Sequence, residues 1–223
     1  MIRSGWLGQV PEPLTEQILA AGTWRTFGDR EIIYGLGTEE QSLWGIDSGC
    51  VRMLVSLNEA EPRFCHVAGP GSWFGDFTLV TGLPRLLELE TGGACRLLTV
   101  GRRDVERIAA TSPEIWREIA RLAAMNEATA IGGVDDLMLR DPQRRLAAIL
   151  LRLAARRNAF QGTPPIDVIP ATQNEIAEAC SLSRTVTATA LAQLVASGAI
   201  RTEYRRISLL KPEVLEDVLR RHA

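Results

Sequence analysis

The sequence predicts an α+β protein in which a β-rich first half is followed by one long helix and a helical second half. From residue 23 to about residue 100, short segments rich in β-formers alternate with Gly, Asp and Pro turns. The turns recur at roughly ten-residue intervals, which is typical of an antiparallel sandwich or barrel. A short helix is predicted before them, at residues 14–21. Segments of the β type include residues 31–34, 43–46, 50–57, 64–67 and 95–100.

The later helices begin at capping residues. Ser112, followed by Pro and Glu, predicts the N-cap of a long helix that runs to about residue 139. Asp141 before Pro142 repeats this pattern of a capping residue followed by proline. Since the residue before a proline is pushed out of the helical region, the long helix ends there and another begins. A second helix is therefore predicted over residues 142–157, and a last one over residues 212–221.

One stripe of the long helix repeats at spacings of four and three residues. It could be a coiled-coil seam between two copies of the chain, in which an Asn fixes the register and small residues allow close approach. It could equally be the face of a helix that lies on its own β-rich half. The stripe consists of Ile115, Ile119, Leu122, Asn126, Thr129 and Gly133.

Residues 172–200 have the order of features of a helix-turn-helix. Thr172 and Glu175 predict a capping box, Ser181 with its neighbour Leu182 predicts the turn, and Ser183 predicts the N-cap of the second helix. In a helix-turn-helix the first turns of the second helix enter the major groove of DNA. The alternative is two ordinary helices of a bundle. The predicted inward residues are Ile176, Ala177, Cys180, Val186, Ala190, Leu191 and Leu194, and the predicted outward residues are Arg184, Thr185, Ala188 and Thr189.

A hairpin and a shift in charge accompany this motif. Strands are predicted at residues 199–202 and 207–210, with a turn near Tyr204-Arg205-Arg206. The formal net charge is −2, but residues 1–139 hold 12 Arg against 19 acidic residues, whereas residues 140–223 hold 12 Arg and one Lys against 8. A cationic second half fits a module that neutralises phosphates, and Arg suits phosphate and guanine edges better than Lys.

The composition excludes other classes of protein. A length of 223 residues predicts two domains. No apolar run approaches the ~18 residues that span a membrane, and no secretory signal is recognised. The four cysteines lie far apart without a CxxC, so we expect free thiols in a reducing cytoplasm and no metal site. No catalytic motif is present, and only His66 and His222 could serve haem, so neither an enzyme nor a haem sensor is expected.

The segment PGSWFGDFTLVTGLPR at residues 70–85 is the candidate small-molecule site. Its glycines allow a tight turn that points several N–H groups at an anion. Arg85 can bind a phosphate, and Asp76 can accept a hydrogen bond from a sugar hydroxyl. Since Gly-rich turns are common between strands, a plain turn is the alternative.

Together these motifs resemble the Crp/Fnr family of bacterial transcription regulators over roughly residues 10–220. The FGD…PR segment resembles the phosphate-binding cassette of cyclic-nucleotide-binding domains. DPQRRLAAILLRLAARR resembles the helix that follows the family's dimerisation helix, and the segments from Thr172 and from Ile200 resemble its helix-turn-helix and wing. The resemblance implies an antiparallel β jelly-roll sensor (1–112), a central dimerisation helix (113–140) and a winged helix-turn-helix (141–223).

The resemblance also assigns roles on the DNA-binding side. Arg184 matches the family's guanine-reading Arg, a contact worth about 1–3 kcal/mol of discrimination. Thr185 stands where many members have Glu, and Thr189 where many have Arg, so we expect a half-site different from the usual catabolite-activator site. Gln173 and Ser183 match positions that touch phosphates. The predicted DNA-binding residues are Thr172, Gln173, Ser183, Arg184, Thr185, Thr187, Ala188, Thr189, Arg205 and Arg206.

The sensor departs further from the family pattern. Asp76 replaces a Glu, Leu86 follows Arg85 where cyclic-AMP binders have a small or hydroxylated residue, and Ala130 with Ile131 replaces a polar pair. We therefore expect a small-molecule effector other than cyclic AMP, or none. The candidate effector residues are Gly75, Asp76, Phe77, Arg85, Leu86, Asn126, Thr129 and Ala130.

The predicted function is a cytoplasmic, homodimeric, sequence-specific DNA-binding regulator of transcription. Its predicted partners are double-stranded DNA with a two-fold operator and a second copy of the chain; RNA polymerase is a further candidate, and no membrane is expected. An effector would swing the DNA-binding heads about the junction at residues 140–142. The rival interpretation is a ligand-binding adapter that acts through a protein partner without DNA.

Overall fold

The computed structural model describes residues 1–56, 61–157 and 163–220 of the chain. In its first half, two antiparallel four-stranded sheets form a sandwich. One sheet has the strand order β1-β8-β3-β6 and the other the order β2-β7-β4-β5. The strands are β1 (Thr23–Phe27), β2 (Ile32–Tyr34), β3 (Ser42–Ser48), β4 (Val51–Val55), β5 (Arg63–Ala68), β6 (Trp73–Phe74), β7 (Leu87–Thr91) and β8 (Cys95–Gly101).

The sandwich closes because both sheets contribute apolar side chains to one core. Trp44 and Ile46 of β3 and Leu97 of β8 meet Val51 of β4 and Leu89 of β7 in a single buried cluster. Trp44 and Ile46 are two residues apart, the spacing that places strand side chains on one face. The predicted strands are confirmed, with ends shifted by a few residues, and the predicted α+β class is confirmed with them.

The α-helices described around the sandwich are α1 (Glu12–Ala21), α2 (Asp76–Thr81), α3 (Arg102–Ala109) and the long α4 (Ile115–Met138), which leads away from it. The predicted N-cap at Ser112 is wrong. The N-cap of α4 is Glu114, and it makes no side-chain cap bond. The Ser112 hydroxyl instead accepts a hydrogen bond from Gln17 Nε2 at 3.0 Å, because α1 packs beside this turn.

The first three residues of the predicted seam on α4 are not available to a second copy of the chain. Ile115, Ile119 and Leu122 are 0–2% exposed and pack in one core with Trp6 and Leu14 of the same chain. These side chains are buried inside the protomer itself, so they offer no surface to a second copy. The alternative interpretation, a helix lying on its own β-rich half, is the one that the structure supports for this first part of the stripe, and the role of Asn126, Thr129 and Gly133 in a dimer stays a prediction.

A helical head follows, with a three-stranded sheet of order β10-β11-β9. The helix predicted over residues 142–157 ends earlier, at Leu153, where the chain turns through Ala155 in the left-handed region (φ 53°). The predicted hairpin is confirmed as β10 and β11. The elements of the head are α5 (Pro142–Leu153), β9 (Val168–Ile169), α6 (Gln173–Ala179), α7 (Arg184–Ala196), β10 (Ile200–Glu203), β11 (Arg206–Leu209) and α8 (Pro212–Arg220).

The head and the sandwich share one hydrophobic core. Phe64 and Val67 of β5 belong to the same buried cluster as Leu150, Ile176 and Leu191 of the head. The head and the sandwich also approach closely at Gly92, which lies in a turn of the sandwich. A Cβ added there would lie 2.6 Å from Pro170 Cγ. The head is therefore packed against the sandwich and does not merely hang from the junction after α4.

Candidate nucleic-acid interface and sensor cassette

The two helices α6 and α7 begin at side chains that satisfy their free backbone N–H groups. Thr172 Oγ1 accepts from Glu175 N at 3.2 Å while Glu175 Oε2 accepts from Thr172 N at 2.6 Å, which completes the predicted capping box. Ser183 Oγ accepts from Val186 N at 3.3 Å. Both caps were predicted correctly because each depends only on residues within one turn.

The turn between these helices is held from outside the motif. Ser181 adopts a left-handed conformation (φ 50°), as the replacement of a glycine there implies. Arg145 of α5 donates to the carbonyl oxygens of Cys180 (3.2 Å) and Ser181 (3.4 Å), and its Nε donates to Leu139 O at 2.8 Å. One guanidinium thus links the end of α4 to the turn.

The outer side of α7 is a small and weakly polar surface with one cation. Arg184, Thr185, Ala188 and Thr189 are all exposed. Arg184 forms no ion pair with any residue in the described ranges, so its guanidinium is available to a ligand. Thr189 Oγ1 donates to Thr185 O at 3.0 Å, so the hydroxyl keeps only its acceptor capacity for a ligand.

A groove of about 320 Å³ runs between α7 and the start of α5. Asp141 at its edge accepts from Arg144 N at 2.7 Å and is the N-cap of α5, as predicted. Val186 was predicted to point inward, but it is 39% exposed and lines this groove. The groove residues are Asp141, Pro142, Gln143, Thr185, Val186, Thr189, Ala190 and Gln193.

The hairpin beside α7 presents an exposed tip. Tyr204 is 83% exposed, and the guanidinium of Arg205 lies 5.2 Å from the centre of its ring. Arg205 adopts a left-handed conformation (φ 54°), and the neighbouring Arg206 is exposed as well. Two cations and an aromatic ring therefore stand together on the tip of the hairpin.

In the sandwich, the candidate cassette gathers around Arg85, whose side chain is buried. Its Nη2 donates to Glu40 O (2.8 Å), Ser42 O (3.0 Å) and Ser42 Oγ (3.1 Å), and its guanidinium lies 4.0 Å from the centre of the Tyr34 ring. Burial raises the pKa of the Tyr34 hydroxyl. Nη2 of this cation is thus held by groups of its own chain, whereas its Nε is buried and has no hydrogen-bond partner among the described residues.

Asp76, at the start of α2, has its own partner on the long helix. Asn126 Nδ2 donates to Asp76 Oδ1 at 2.7 Å, and to Trp73 O at 3.3 Å. Burial raises the pKa of the Asp76 carboxyl, although the Asn126 bond opposes it. Gly75 precedes it with φ 96°, and a Cβ there would lie 2.1 Å from Ser42 O, so only glycine fits.

Comparison with known families matches both halves of this architecture. A model of the cyclic nucleotide-binding domain matches residues 24–112, and a model of the Crp-like helix-turn-helix domain matches residues 144–218. The chain belongs to the Crp/Fnr family. The two matched domains make it a DNA-binding regulator of transcription, as the sequence predicts.

Relatives of this Crp/Fnr regulator agree with that assignment. It is 26% identical over 183 residues to the CRP-like cAMP-activated global transcriptional regulator of Mycobacterium tuberculosis, covering 82% of each chain. It is 26% identical over 193 residues to the transcriptional regulator LdrP of Thermus thermophilus, covering 86% of this chain and 94% of LdrP. The structure of FixK2 from Bradyrhizobium japonicum shares the fold, with a TM-score of 0.70 and 21% identity over 91% of this chain and 99% of that one.

The predicted DNA-binding residues of this Crp/Fnr regulator fall into two groups. Thr187 was predicted on the DNA side, but it is 1% exposed and its buried hydroxyl has no partner among the described residues, which rules out a DNA contact in this conformation. It lies on the inner side of α7 with Ala190, Leu191 and Leu194. The remaining residues lie at the surface, with Thr172 partly covered: Thr172, Gln173, Ser183, Arg184, Thr185, Ala188, Thr189, Arg205 and Arg206.

The predicted effector residues of this Crp/Fnr regulator are likewise only partly brought together. Gly75, Asp76, Arg85 and Asn126 form one cluster through the contacts given above. Leu86 is 55% exposed, and Phe77 and Ala130 also lie at the surface. Thr129 Oγ1 donates to Met125 O at 3.2 Å within its own helix. The structure therefore brings together only some of the residues predicted to line the effector pocket.

Metal-binding groups, membrane-spanning helices and the two histidines would point to other kinds of site in this Crp/Fnr regulator. Across residues 1–56, 61–157 and 163–220, no three His, Cys, Asp or Glu side chains are grouped as metal ligands would be. None of the helices in those ranges has the length and apolar character needed to cross a bilayer. His66 is engaged by Arg152 Nη1 at 3.2 Å, and His222 lies outside the described residues.

Sequence reasoning missed the polar contact between the sensor and the head. Arg52 of β4 binds Glu175 of α6, and the two residues are 123 positions apart. Glu175 was recognised only as a member of the capping box. The sequence shows only an Arg within an otherwise apolar strand. That pattern indicates a buried ion pair, but it does not identify the acidic partner.

Proposed function

We propose that the protein acts as a homodimer that reads a two-fold operator through the outer side of α7. The observation that carries this proposal is the exposure of Arg184, Thr185, Ala188 and Thr189 on a helix whose opposite side is buried in the head. An Arg fork can donate to O6 and N7 of guanine, and Ala or Thr methyl groups can contact the thymine methyl. Such a surface distinguishes sequences as well as holding DNA.

A second copy of the chain would pack on the outward stripe of α4. Ile131 and Val134 are each 60% exposed and Met138 is 75% exposed, half a helical turn away from the buried stripe. The stripe continues through Ala124 and Ala128, which are exposed and small enough for close helix approach. An exposed apolar surface of this kind indicates an interface, and two-fold proteins read two half-sites about one DNA turn apart.

The effector, if the sensor has one, would not be a cyclic nucleotide. A cyclic nucleotide needs a cation for its phosphate and a carboxylate for its ribose, and both groups already have partners here: Arg85 Nη2 donates to Ser42 and Glu40, and Asp76 accepts from Asn126. Binding at the ribose would have to break the bond between Asp76 and Asn126, while Arg85 would keep only part of its guanidinium, including the unpartnered Nε, for the phosphate. The relative from Mycobacterium tuberculosis is named as cAMP-activated; the cassette contacts in this chain favour a different control.

The proposal includes the setting in which this dimer works. The functional units would be a sensor (1–112), a dimerisation helix (113–140) and a DNA-binding head (141–223). The protein would act in the cytoplasm, where bacterial DNA lies, and would meet or block RNA polymerase there. We infer a regulator rather than an enzyme, because the relatives that it matches are regulators of transcription.

Selection of bound duplexes from a random pool tests the proposal. We expect enrichment of a two-fold sequence whose affinity falls steeply with salt, because phosphate contacts release counterions. The adapter that acts without DNA predicts no enrichment. Enrichment of a single asymmetric site, bound by a monomer in sedimentation, would overturn the homodimer.

A further inference from the structure

Arg52 connects the sandwich to the head through one fully buried guanidinium. Its side chain is 0% exposed. Nε donates to Glu90 Oε1 at 2.6 Å, which lies opposite it on the neighbouring strand β7. Nη1 donates to Pro170 O at 2.6 Å, and Nη2 donates to Glu175 Oε1 at 2.5 Å. Two of the three groups bound by Arg52 therefore belong to the head.

A second arginine completes a balanced cluster around this contact. Arg30 Nη1 lies 2.7 Å from Glu90 Oε1 and 3.4 Å from Glu175 Oε1. We call Arg30, Arg52, Glu90 and Glu175 the clamp. Burial alone would raise the pKa of Glu175, but the bonds from Arg52 and Thr172 outweigh it and lower the pKa to about 2. The Glu175 carboxylate is thus charged near neutral pH.

The clamp also holds the N-terminus of α6, where Thr172 is the N-cap. The Glu175 carboxylate accepts from Thr172 N with one oxygen and from Arg52 with the other. The first turn of α6 is thereby fixed to β4 of the sandwich. Because α6 and α7 pack together through Ile176 and Leu191, the direction of α7 is fixed as well.

Apolar contacts around the clamp define the same orientation. Phe64 of β5 lies beneath the Arg52 guanidinium, 5.0 Å from it to the ring centre, and also packs into the core of the head. A Cβ on Gly69 would lie 2.8 Å from Ile166 Cγ2. Close-packed surfaces of this kind admit few arrangements. In this arrangement Arg184 and Thr185 remain exposed, so the docked head keeps its outer side open.

We propose that Arg52 is a positioning residue for DNA reading, which holds α6 and α7 at the angle that lets both heads of a dimer meet their half-sites. The inference rests on the proposed function, namely a dimer on a two-fold operator. It adds that the sandwich sets the angle of the head directly, through β4 and β5, besides the junction at Asp141. Preorganised heads bind two half-sites without first losing orientational freedom.

The test compares Arg52→Met with Arg96→Met as the matched control. Both changes remove an arginine of the sandwich that is paired with an acid, but Arg96 is half exposed and its partner, Asp47, belongs to the sandwich itself. The probes are the duplex selected by the wild-type protein and the same duplex with one half-site scrambled. We expect Arg52→Met to lose on the order of tenfold in affinity for the two-half-site duplex, a typical coupling between distant sites.

The pattern of the loss separates positioning from a DNA contact. Arg52→Met should leave the affinity for the single half-site and the salt slope unchanged, because Arg52 neutralises no phosphate. Arg96→Met should change neither. Unchanged or tighter binding by Arg52→Met to the two-half-site duplex, or an equal loss on both duplexes, would overturn the inference.

Glu175→Gln provides an independent variant if Arg52→Met does not fold, as judged by thermal unfolding. The amide oxygen can still accept from Thr172 N, so the cap survives while the charge facing Arg52 is lost. We expect the same selective loss, and no further loss in the double variant than in Arg52→Met alone. If the wild-type protein selects no two-fold duplex, the proposed function fails; if it does and the variants match it, only this inference fails.

Discussion

The Nη1 of Arg152 lies 3.2 Å from the Nδ1 of His66, where the sandwich, the long helix and the head meet. The Nε of the same arginine donates to Asp136 Oδ2 of α4 at 2.9 Å. A guanidinium only donates hydrogen bonds, so His66 Nδ1 accepts and the ring proton resides on Nε2. His66 is therefore held in its neutral form by a cation that also anchors α4 to α5.

This contact predicts an acid sensitivity of stability. Burial and the charge of Arg152 lower the pKa of His66 to about 3, whereas an unfolded histidine titrates near 6.5. Between these values the unfolded chain binds a proton that the folded chain does not, so stability falls as the pH falls below 6.5. Between the two pKa values this loss of stability approaches about 1.4 kcal/mol per pH unit.

His66→Asn checks this prediction, because its amide oxygen can accept from Arg152 but does not titrate. Denaturant unfolding at pH 7.5 and at pH 5.0 gives the loss of stability for each protein. We expect a smaller loss in the variant than in the wild type. An equal loss in both would show that His66 is protonated in the folded state or makes no contribution.

The outward stripe of α4 predicts the oligomeric state. Ile131→Glu would bury a carboxylate in an apolar interface, at a cost that a weak dimer does not survive. We expect sedimentation velocity to show a monomer at micromolar concentration. Ile32→Glu is the matched control, because Ile32 is 59% exposed against 60% for Ile131 and lies on β2. A dimeric Ile131→Glu protein, or a monomeric control, would refute this interface.

Cyclic AMP should not stabilise the protein. A ligand present at 100 times its dissociation constant raises the free energy of unfolding by about 2.7 kcal/mol. Because Arg85 and Asp76 are already bonded within the chain, we expect the same melting temperature with and without millimolar cyclic AMP. A saturable rise that is lost in Arg85→Met would mean that the cassette opens to the nucleotide.

Local features of the sequence predicted local structure well. The caps at Asp141, Thr172 and Ser183 and the hairpin after α7 were found because each depends on neighbouring residues. Ser112 failed for a tertiary reason, since Gln17 engages its hydroxyl. A capping residue is thus a reliable signal only when no distant side chain competes for it.

Faces of helices were harder to assign than the helices themselves. On α4 the stripe from Ile115 was predicted as an interface, but the N-terminal segment with Trp6 covers it. On α7, Thr187 was expected at the surface but is buried, and Val186 was expected to be buried but is exposed. Val186 is uncovered because it lines the groove beside α5. The contact of Arg52 with Glu175 joins residues far apart in the chain, and no spacing rule predicts it.

The role of Arg184 in reading bases is the central claim, and selection of duplexes from a random pool with the Arg184→Ala variant tests it most directly. We expect one guanine position of each half-site to lose its preference, at a cost of about 1–3 kcal/mol on the wild-type operator, while non-specific binding changes little. Arg220→Ala, which removes an exposed arginine of α8 that pairs with Glu216, should retain the full preference. A variant at Arg184 that selects the unchanged operator, or that loses affinity equally on every duplex, would contradict the account.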